Sequence, residues 1–134
     1  MVAVGDAAVV RLYKDGIGSA YHTAERAMTA ALDHGISQAA FARHYAPFCR
    51  RMRQDNLYGR ALFKLWDLTL HTPRLLKAWL AVVRHESALP PPRRLHQRIL
   101  WGMFSGEESY RTLFWLAMRP RAVGGLLRNL LKWQ

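Results

Sequence analysis

Helix-length segments separated by glycine and proline fill most of this chain, and they constrain its fold more than any other feature. Gly35 follows an alanine-rich segment, Pro73 comes directly after Thr72, and Pro120 precedes the last segment. Glycine just after a helix and proline in a first turn are usual helix boundaries. In the last segment, apolar residues follow the spacing of one helix face: Val123, Leu126, Leu127, Leu130 and Leu131. The pattern therefore predicts a mainly α-helical protein with five to seven helices.

Local signals also predict where several helices begin and end. The first helix is expected from Gly18 to about His34, and Ser37 is a plausible N-cap for the second. Pro47 either kinks that helix or stands in the first turn of a long helix to His71. Prolines 90–92 predict a stiff, extended connector, and Ser105-Gly-Glu-Glu resembles a capping box before the next helix.

One short strand is predicted at the N-terminus. Residues 1–4 form a continuous apolar run, as expected for a buried strand. No other segment has a convincing β pattern, so the strand would have to pair with residues outside this chain. The predicted fold class is thus mainly α with one N-terminal strand.

Composition and charge exclude some classes of protein and favour others. The length of 134 residues suits one domain, and 51% hydrophobic residues exclude a disordered chain. Cys49 is the only cysteine, which precludes an internal disulfide and favours a reducing, cytoplasmic compartment. The net charge is +11, and residues 68–134 carry 11 Lys/Arg against 3 Asp/Glu. This excess predicts an anionic partner: nucleic acid, anionic lipid or an acidic protein.

The first twenty residues contain the segment best suited to bind a cofactor. Gly5 and Asp6 end the predicted strand, and Gly16-Ile17-Gly18-Ser19 opens the first helix. Glycines let a ligand approach the backbone closely, and the amides at a helix N-terminus favour phosphate or a developing flavin anion. From the residues alone, a cofactor site and a simple tight turn are equally good interpretations.

The order of these residues resembles a known cofactor motif. Val4-Gly5-Asp6-Ala7-Ala8 followed by Gly16-Ile17-Gly18-Ser19-Ala20 is similar to the C-terminal FAD-binding motif of glutathione-reductase-type flavoproteins. The resemblance is closest to the geranylgeranyl-reductase-like and aromatic-hydroxylase-like FAD-dependent oxidoreductases. It implies that Asp6 binds the ribityl chain of FAD and that the backbone of residues 16–19 faces the pyrophosphate and the flavin ring. Residues 13–15 depart from the pattern, since many relatives have a proline there.

The resemblance also implies that the chain is one part of a larger enzyme. The Gly-x-Gly-x-x-Gly unit that holds the ADP half of FAD in that family does not occur in this sequence. We therefore expect residues 1–35 to end an FAD-binding domain and residues 36–134 to form a helical C-terminal region, with a proline break at 90–92. A missing N-terminal segment or a partner chain would complete the α/β FAD-binding fold and the catalytic site.

Neither a catalytic nucleophile nor a metal site is predicted. No two histidines stand four residues apart, and Cys49 with His44 is better interpreted as an inert thiol beside an unrelated histidine.

The last helix offers a second, non-enzymatic interpretation. Arg121, Arg128 and Lys132 lie on one side of its leucine stripe, so they are candidate contacts for an anionic surface. The alternative function is a stand-alone basic helical module that binds anionic membrane or nucleic acid, although no nucleic-acid-binding module is recognisable. Under the flavoprotein interpretation, the protein could meet a lipid-like substrate at the inner face of the membrane.

Overall fold

The computed structural model describes residues 2–9, 12 and 16–132, with the side chain of Asp6 excepted. Within these residues the chain is all-helical, with seven α-helices and two 3-10 turns, Gly5–Ala7 and Pro91–Arg93. The helices are α1 (Gly16–His34), α2 (Gln38–His44), α3 (Ala46–His71), α4 (Pro73–Ser87), α5 (Leu95–Ser105), α6 (Tyr110–Ala117) and α7 (Pro120–Leu131). They form two compact units, Met1–Leu57 and Tyr58–Gln134, whose boundary falls within α3.

The prediction of an N-terminal strand is wrong for the residues that the structure describes. Val4 has extended backbone angles (φ −130°, ψ 163°), but the chain then enters the 3-10 turn at Gly5. A strand needs a second strand for its ladder of hydrogen bonds. The described part of the chain contains none, so the apolar run at residues 2–4 stays extended without becoming β structure.

The predicted glycine, serine and proline boundaries are mostly confirmed. Gly35 has a positive φ of 83°, and its amide donates to the carbonyl of Ala31. The Ser37 hydroxyl accepts from the amide of Ala40 at 3.2 Å and caps α2. Pro47 stands in the first turn of α3, where the missing amide hydrogen costs no helical bond.

Three local predictions need correction. The first helix begins at Gly16 rather than Gly18. The N-cap of α6 is Ser109, whose hydroxyl accepts from Thr112, and Ser105 is instead the last residue of α5. Residues 91–93 form a 3-10 turn in place of an extended connector, because the amide of Arg93 donates to the carbonyl of Pro90.

Unit 1 is built around one face of α1. The 3-10 turn Gly5–Ala7 and helix α2 both pack against α1. The four buried residues of α1 all have small side chains, which lets neighbouring backbone approach closely: Ser19, Thr23, Ala27 and Ala30. The buried apolar cluster consists of five residues: Val9, Ala27, Ala30, Tyr45 and Cys49.

Unit 2 is a helical cluster in which α4 packs against α5 and α7, and α5 against α6. The approach of α5 to α6 depends on Gly102, where an added Cβ would lie 2.7 Å from Cδ2 of Leu113. Its buried apolar residues come from α3 to α7: Leu62, Ala78, Val82, Ile99, Met103, Tyr110, Leu113, Leu116 and Ala122.

A buried polar pair, Glu86 and His96, joins three helices of unit 2. Glu86, in the last turn of α4, accepts hydrogen bonds from the backbone amides of His96 and Gln97 at 2.8 and 3.0 Å. The carboxylate thereby caps the first turn of α5. His96 Nδ1 lies 2.7 Å from the same carboxylate, and Nε2 lies 3.0 Å from the carbonyl of Ala122 in α7. The imidazole ring therefore links α4 and α7 through its two nitrogens.

Among the described residues, no helix combines the length and the apolar character that crossing a membrane requires.

Candidate cofactor-binding site

The turn at Gly5 lies directly on the N-terminal part of α1. Gly5 has a positive φ of 63°, a conformation that favours glycine. Its amide donates to the hydroxyl of Thr23 at 2.7 Å, and an added Cβ would touch Cβ of Ala20 at 3.5 Å. The backbone of the Gly5–Ala7 turn is therefore held against the second turn of α1.

Thr23 is the residue that holds the turn. It is fully buried, and its hydroxyl donates to the carbonyl of Ser19 at 2.8 Å while it accepts from Gly5. The hydroxyl thus accepts from a partly buried amide 18 residues away in the sequence. Full burial of an amide without an acceptor costs about 1–3 kcal/mol, and part of that cost applies here, so this contact stabilises the position of Gly5.

All four residues predicted for the glycine turn lie in the first turn of α1. Because the helix begins at Gly16, residues 16–19 occupy the positions whose amides have no acceptor within the helix. The first turn carries no acidic side chain, and Ile17 is exposed. The amides of Gly16, Ile17 and Gly18 form a set of donors at the positive end of the helix, suited to phosphate or carbonyl oxygens.

Side chains of the following helices hold the N-terminal segment from its other side. The hydroxyl of Tyr45 donates to the carbonyl of Ala3 at 2.9 Å, and Nη2 of Arg53 donates to the carbonyl of Ala8 at 2.8 Å. Burial, and after it the neighbouring Cys49 thiol, raises the pKa of the Tyr45 phenol above its ordinary value. Tyr45 therefore remains a neutral donor at physiological pH.

The predicted site residues lie on two neighbouring elements, the turn at Gly5 and the start of α1. The contacts of Gly5 with α1 are to Ala20 and Thr23, in the second turn of the helix, just after the residues predicted for the glycine turn. Ser19 is buried, so any contact that it makes with a ligand would come from its backbone. The backbone of Asp6 belongs to the 3-10 turn, but its side chain lies outside the described residues.

The predicted anionic-surface contacts lie elsewhere, in unit 2. Arg121 and Arg128 are exposed residues of α7, and Lys132 is its C-cap and is also exposed. They form no part of the site around Gly5.

The histidine and thiol candidates do not form a catalytic pair. The ring of His44 stacks on that of His34 with centroids 3.6 Å apart, while Cys49 is buried in the core of unit 1. Desolvation, and after it His34, lowers the pKa of His44. Within the described residues, no group of three or more His, Cys, Asp or Glu is placed to hold a metal ion.

Sequence reasoning missed Thr23, Tyr45 and Arg53, which hold the N-terminal segment. Of these three, only Thr23 could have been found from the sequence, because it stands four residues after Ser19 on a helix face that otherwise carries alanines. Two polar residues at that spacing on a buried face indicate a hydrogen bond that must be satisfied inside the protein.

The candidate site consists of the first-turn amides of α1 and of small residues nearby. Ala7, Ala8 and Ala20 have small side chains that leave the backbone approachable. Asp15 directly precedes the first turn in the sequence and lies outside the described residues. The described residues contain no Gly-x-Gly-x-x-Gly turn.

Replacing Thr23 by valine should release the Gly5 turn. Valine has the same shape but no acceptor, so we expect the free energy of unfolding to fall by about 1–2 kcal/mol and the Gly5 amide to exchange its hydrogen faster. Urea unfolding and hydrogen exchange measure these two effects.

Thr29→Val is the matched control, because the Thr29 hydroxyl is exposed and bonds only within α1, to the carbonyl of Glu25. Equal losses in the two variants would mean that the hydrogen bond between Thr23 and Gly5 adds nothing to the free energy of unfolding beyond a hydroxyl contact within the helix.

Comparisons of this chain with protein-family models, with curated proteins and with solved structures found no match.

Proposed function

We propose that this chain supplies the flavin side of an FAD site in an FAD-dependent oxidoreductase. In this proposal Asp6 accepts from the ribityl hydroxyls, and the backbone of residues 16–19 faces the pyrophosphate and the flavin ring. Protein outside this chain would hold the ADP half. The chain by itself would be catalytically incomplete.

The observation that carries the proposal is the contact between the Gly5 turn and α1. The hydrogen bond from Gly5 to Thr23 holds the residue before Asp6 beside a helix that begins with two glycines. We infer that Asp6 on the turn and the amides at the start of the helix contact one ligand that carries both hydroxyls and anionic oxygens. The flavoprotein motif that the sequence resembles uses the same two elements.

Each part of the chain would have a binding or positioning role. When bound, the flavin would supply the electron transfer, so no protein nucleophile is needed. Gly16 and Gly18 would admit the cofactor close to the backbone, and the helix end would stabilise negative charge on it. Thr23 and Tyr45 would keep the N-terminal segment in place against α1 and α3.

The extended apolar segment before the turn is consistent with a missing neighbour. In the described part of the chain, Val2 and Val4 belong to no strand, and Val4 is exposed. In the proposed complete enzyme, these residues would join the edge of a sheet that the other segment provides. The proposed location is the cytoplasm, where the single thiol of Cys49 stays reduced.

Backbone amide NMR with flavin mononucleotide (FMN) tests the proposal. FMN carries the isoalloxazine ring, the ribityl chain and one phosphate, but no adenosine. We expect weak binding, on the order of millimolar because few contacts are available, with the largest shift changes at Gly5, Gly16, Ile17 and Gly18. Asp6→Asn should weaken binding several-fold by removing the charge that accepts from the ribityl hydroxyls.

Asp33→Asn is the control, because it removes an exposed carboxylate near the other end of α1. Shift changes that map away from Gly5 and the first turn of α1 would contradict the flavin site. Tight binding of FAD, far stronger than that of FMN, would instead contradict the proposal that another segment holds the ADP half.

A further inference from the structure

An apolar groove opens on unit 2 and leaves large hydrophobic side chains in contact with solvent. We call it the leucine groove. It has a volume of about 260 Å³, and five of its lining residues are exposed at its rim: Leu65, Leu68, Met118, Val123 and Leu127. The exposed fractions of these side chains run from 40% for Val123 to 55% for Leu68. An apolar patch contributed by two separate helices and the turn between α6 and α7 marks an interaction surface.

Helix α7 buries its leucine stripe only in part. Leu126 and Leu130 line the groove and are half-buried. Leu127, at the rim of the groove, is 52% exposed, and Leu131, outside the groove lining, is 66% exposed. The helix therefore uses only part of its apolar face to pack against unit 2. The rest faces outward, together with Leu65 and Leu68 of α3.

Positive charge adjoins the exposed leucines. Arg128 follows Leu127 in the helix and so stands roughly 100° further round its axis. Arg121 stands seven residues before Arg128 and Lys132 four residues after it, and both spacings place side chains on the same flank of a helix. From residue 110 to the end, the sequence contains five Lys/Arg and no Asp or Glu. An apolar strip thus runs beside a cationic strip on the same helix.

The charge beside the groove selects among the occupants that it could have. A second copy of this chain would bring its own net charge of +11 against the same cationic flank. Nucleic acid would pair with the arginines but leave the leucines in water. An anionic bilayer satisfies both strips, because its acyl region accepts the leucines and its phosphates accept the cations.

We propose that the leucine groove and the cationic flank of α7 dock unit 2 on the surface of an anionic lipid bilayer. Leu127, Leu65 and Leu68 enter the boundary between headgroups and acyl chains. Arg121, Arg128 and Lys132 extend their apolar stems along the helix and place their charges among the lipid phosphates. The surface is peripheral, and its use is independent of the flavin site in unit 1.

Vesicle flotation with the full chain tests the proposal. The chain should float with phosphatidylglycerol vesicles and far less with phosphatidylcholine vesicles, and added salt should weaken the binding. Leu127→Glu should lower the partition coefficient by roughly tenfold or more, since it removes one leucine from the apolar region. The double reversal Arg121→Glu with Arg128→Glu should also lower it more than tenfold, because each cation near the surface is worth roughly a fivefold change.

Leu80→Glu and the double reversal Lys77→Glu with Arg84→Glu are the matched controls. Leu80 is an exposed leucine of α4, 61% accessible, and neighbours the exposed Lys77 and Arg84 outside the leucine groove. The controls change net charge and surface hydrophobicity by the same amounts as the corresponding variants of α7, and they should retain most of the binding. Circular dichroism establishes that every variant is folded before its binding is compared.

Several outcomes would overturn the proposal. Equal losses in Leu127→Glu and Leu80→Glu would mean that net charge alone drives binding. Partition onto phosphatidylcholine as strong as onto phosphatidylglycerol would remove the role of the cationic flank. Duplex DNA that displaces the vesicles, with Leu127→Glu binding DNA normally, would identify nucleic acid as the occupant. A concentration-dependent dimer that Leu127→Glu abolishes would identify a second copy. The FMN shift changes in unit 1 depend on none of these results.

Discussion

Replacing Glu86 by glutamine should lower the free energy of unfolding by about 3 kcal/mol, because the change leaves buried donors without their acceptor. The carboxylate of Glu86 accepts hydrogen bonds from the backbone amides of His96 and Gln97, and His96 Nδ1 lies 2.7 Å from it. A glutamine side chain would turn one of its acceptor oxygens into an amide nitrogen, which would then face donors. Urea unfolding followed by circular dichroism measures the loss.

Glu25→Gln is the control for this prediction. Glu25 also has a histidine partner, His22, but the two side chains are 3.6 Å apart and more than half exposed. An exposed pair of this kind contributes about 0–1 kcal/mol. The comparison of Glu86→Gln with Glu25→Gln therefore isolates the effect of burial on the stability that such a pair contributes. A loss below about 1 kcal/mol in Glu86→Gln would mean that the pair adds little beyond the capping of α5.

The helices of this fold could be predicted because their boundaries are set by local chemistry. Gly35 ends α1 through its own positive φ, and Ser37 caps α2 through an amide three residues away. Pro73 fits the first turn of α4 because it has no amide hydrogen to lose. None of these effects needs a distant residue. The strand predicted at residues 1–4 is not present in the described residues 2–4. That prediction is wrong there because β structure needs a partner strand, and a single apolar run cannot show whether one is present.

Only those features of the candidate site that depend on residues close together in the sequence could be predicted. The order of Gly5, Asp6 and the glycines of α1 is visible in the sequence and suggested a shared ligand. The contact that joins the turn to α1 cannot be seen in the sequence, because Thr23 accepts from Gly5 only when the folded chain brings the two residues together. Glu86 and His96 are likewise ten residues apart, and the 3-10 turn between α4 and α5 brings them together. Periodicity also predicts which residues share a face of α7 but not what covers them, so the division of its leucine stripe had to come from the structure.

Shortening Leu113 to alanine should also cost about 3 kcal/mol, since the side chain has no exposed surface and its removal leaves a cavity. The size of that cavity depends on Gly102, whose backbone approaches Leu113 so closely that an added Cβ would lie 2.7 Å from it. Gly102→Ala alone should therefore destabilise the protein by about 1–2 kcal/mol through overpacking, in spite of the better helix propensity of alanine.

The two changes should compensate each other. In the double variant, the methyl group that Gly102→Ala adds would fill part of the space that Leu113 leaves, so the loss should be at least about 1 kcal/mol smaller than the sum of the single losses. Gly124→Ala is the control for helix propensity, because an added Cβ there would meet nothing within 4 Å, and it should stabilise the protein slightly or leave it unchanged. Strictly additive losses in the double variant would contradict the close packing of α5 against α6. A double variant whose loss is smaller than the sum would identify the contact between Gly102 and Leu113 as the one that sets the distance between α5 and α6. Gly102 is the only glycine in α5, so no other position of that helix lets α6 approach so closely.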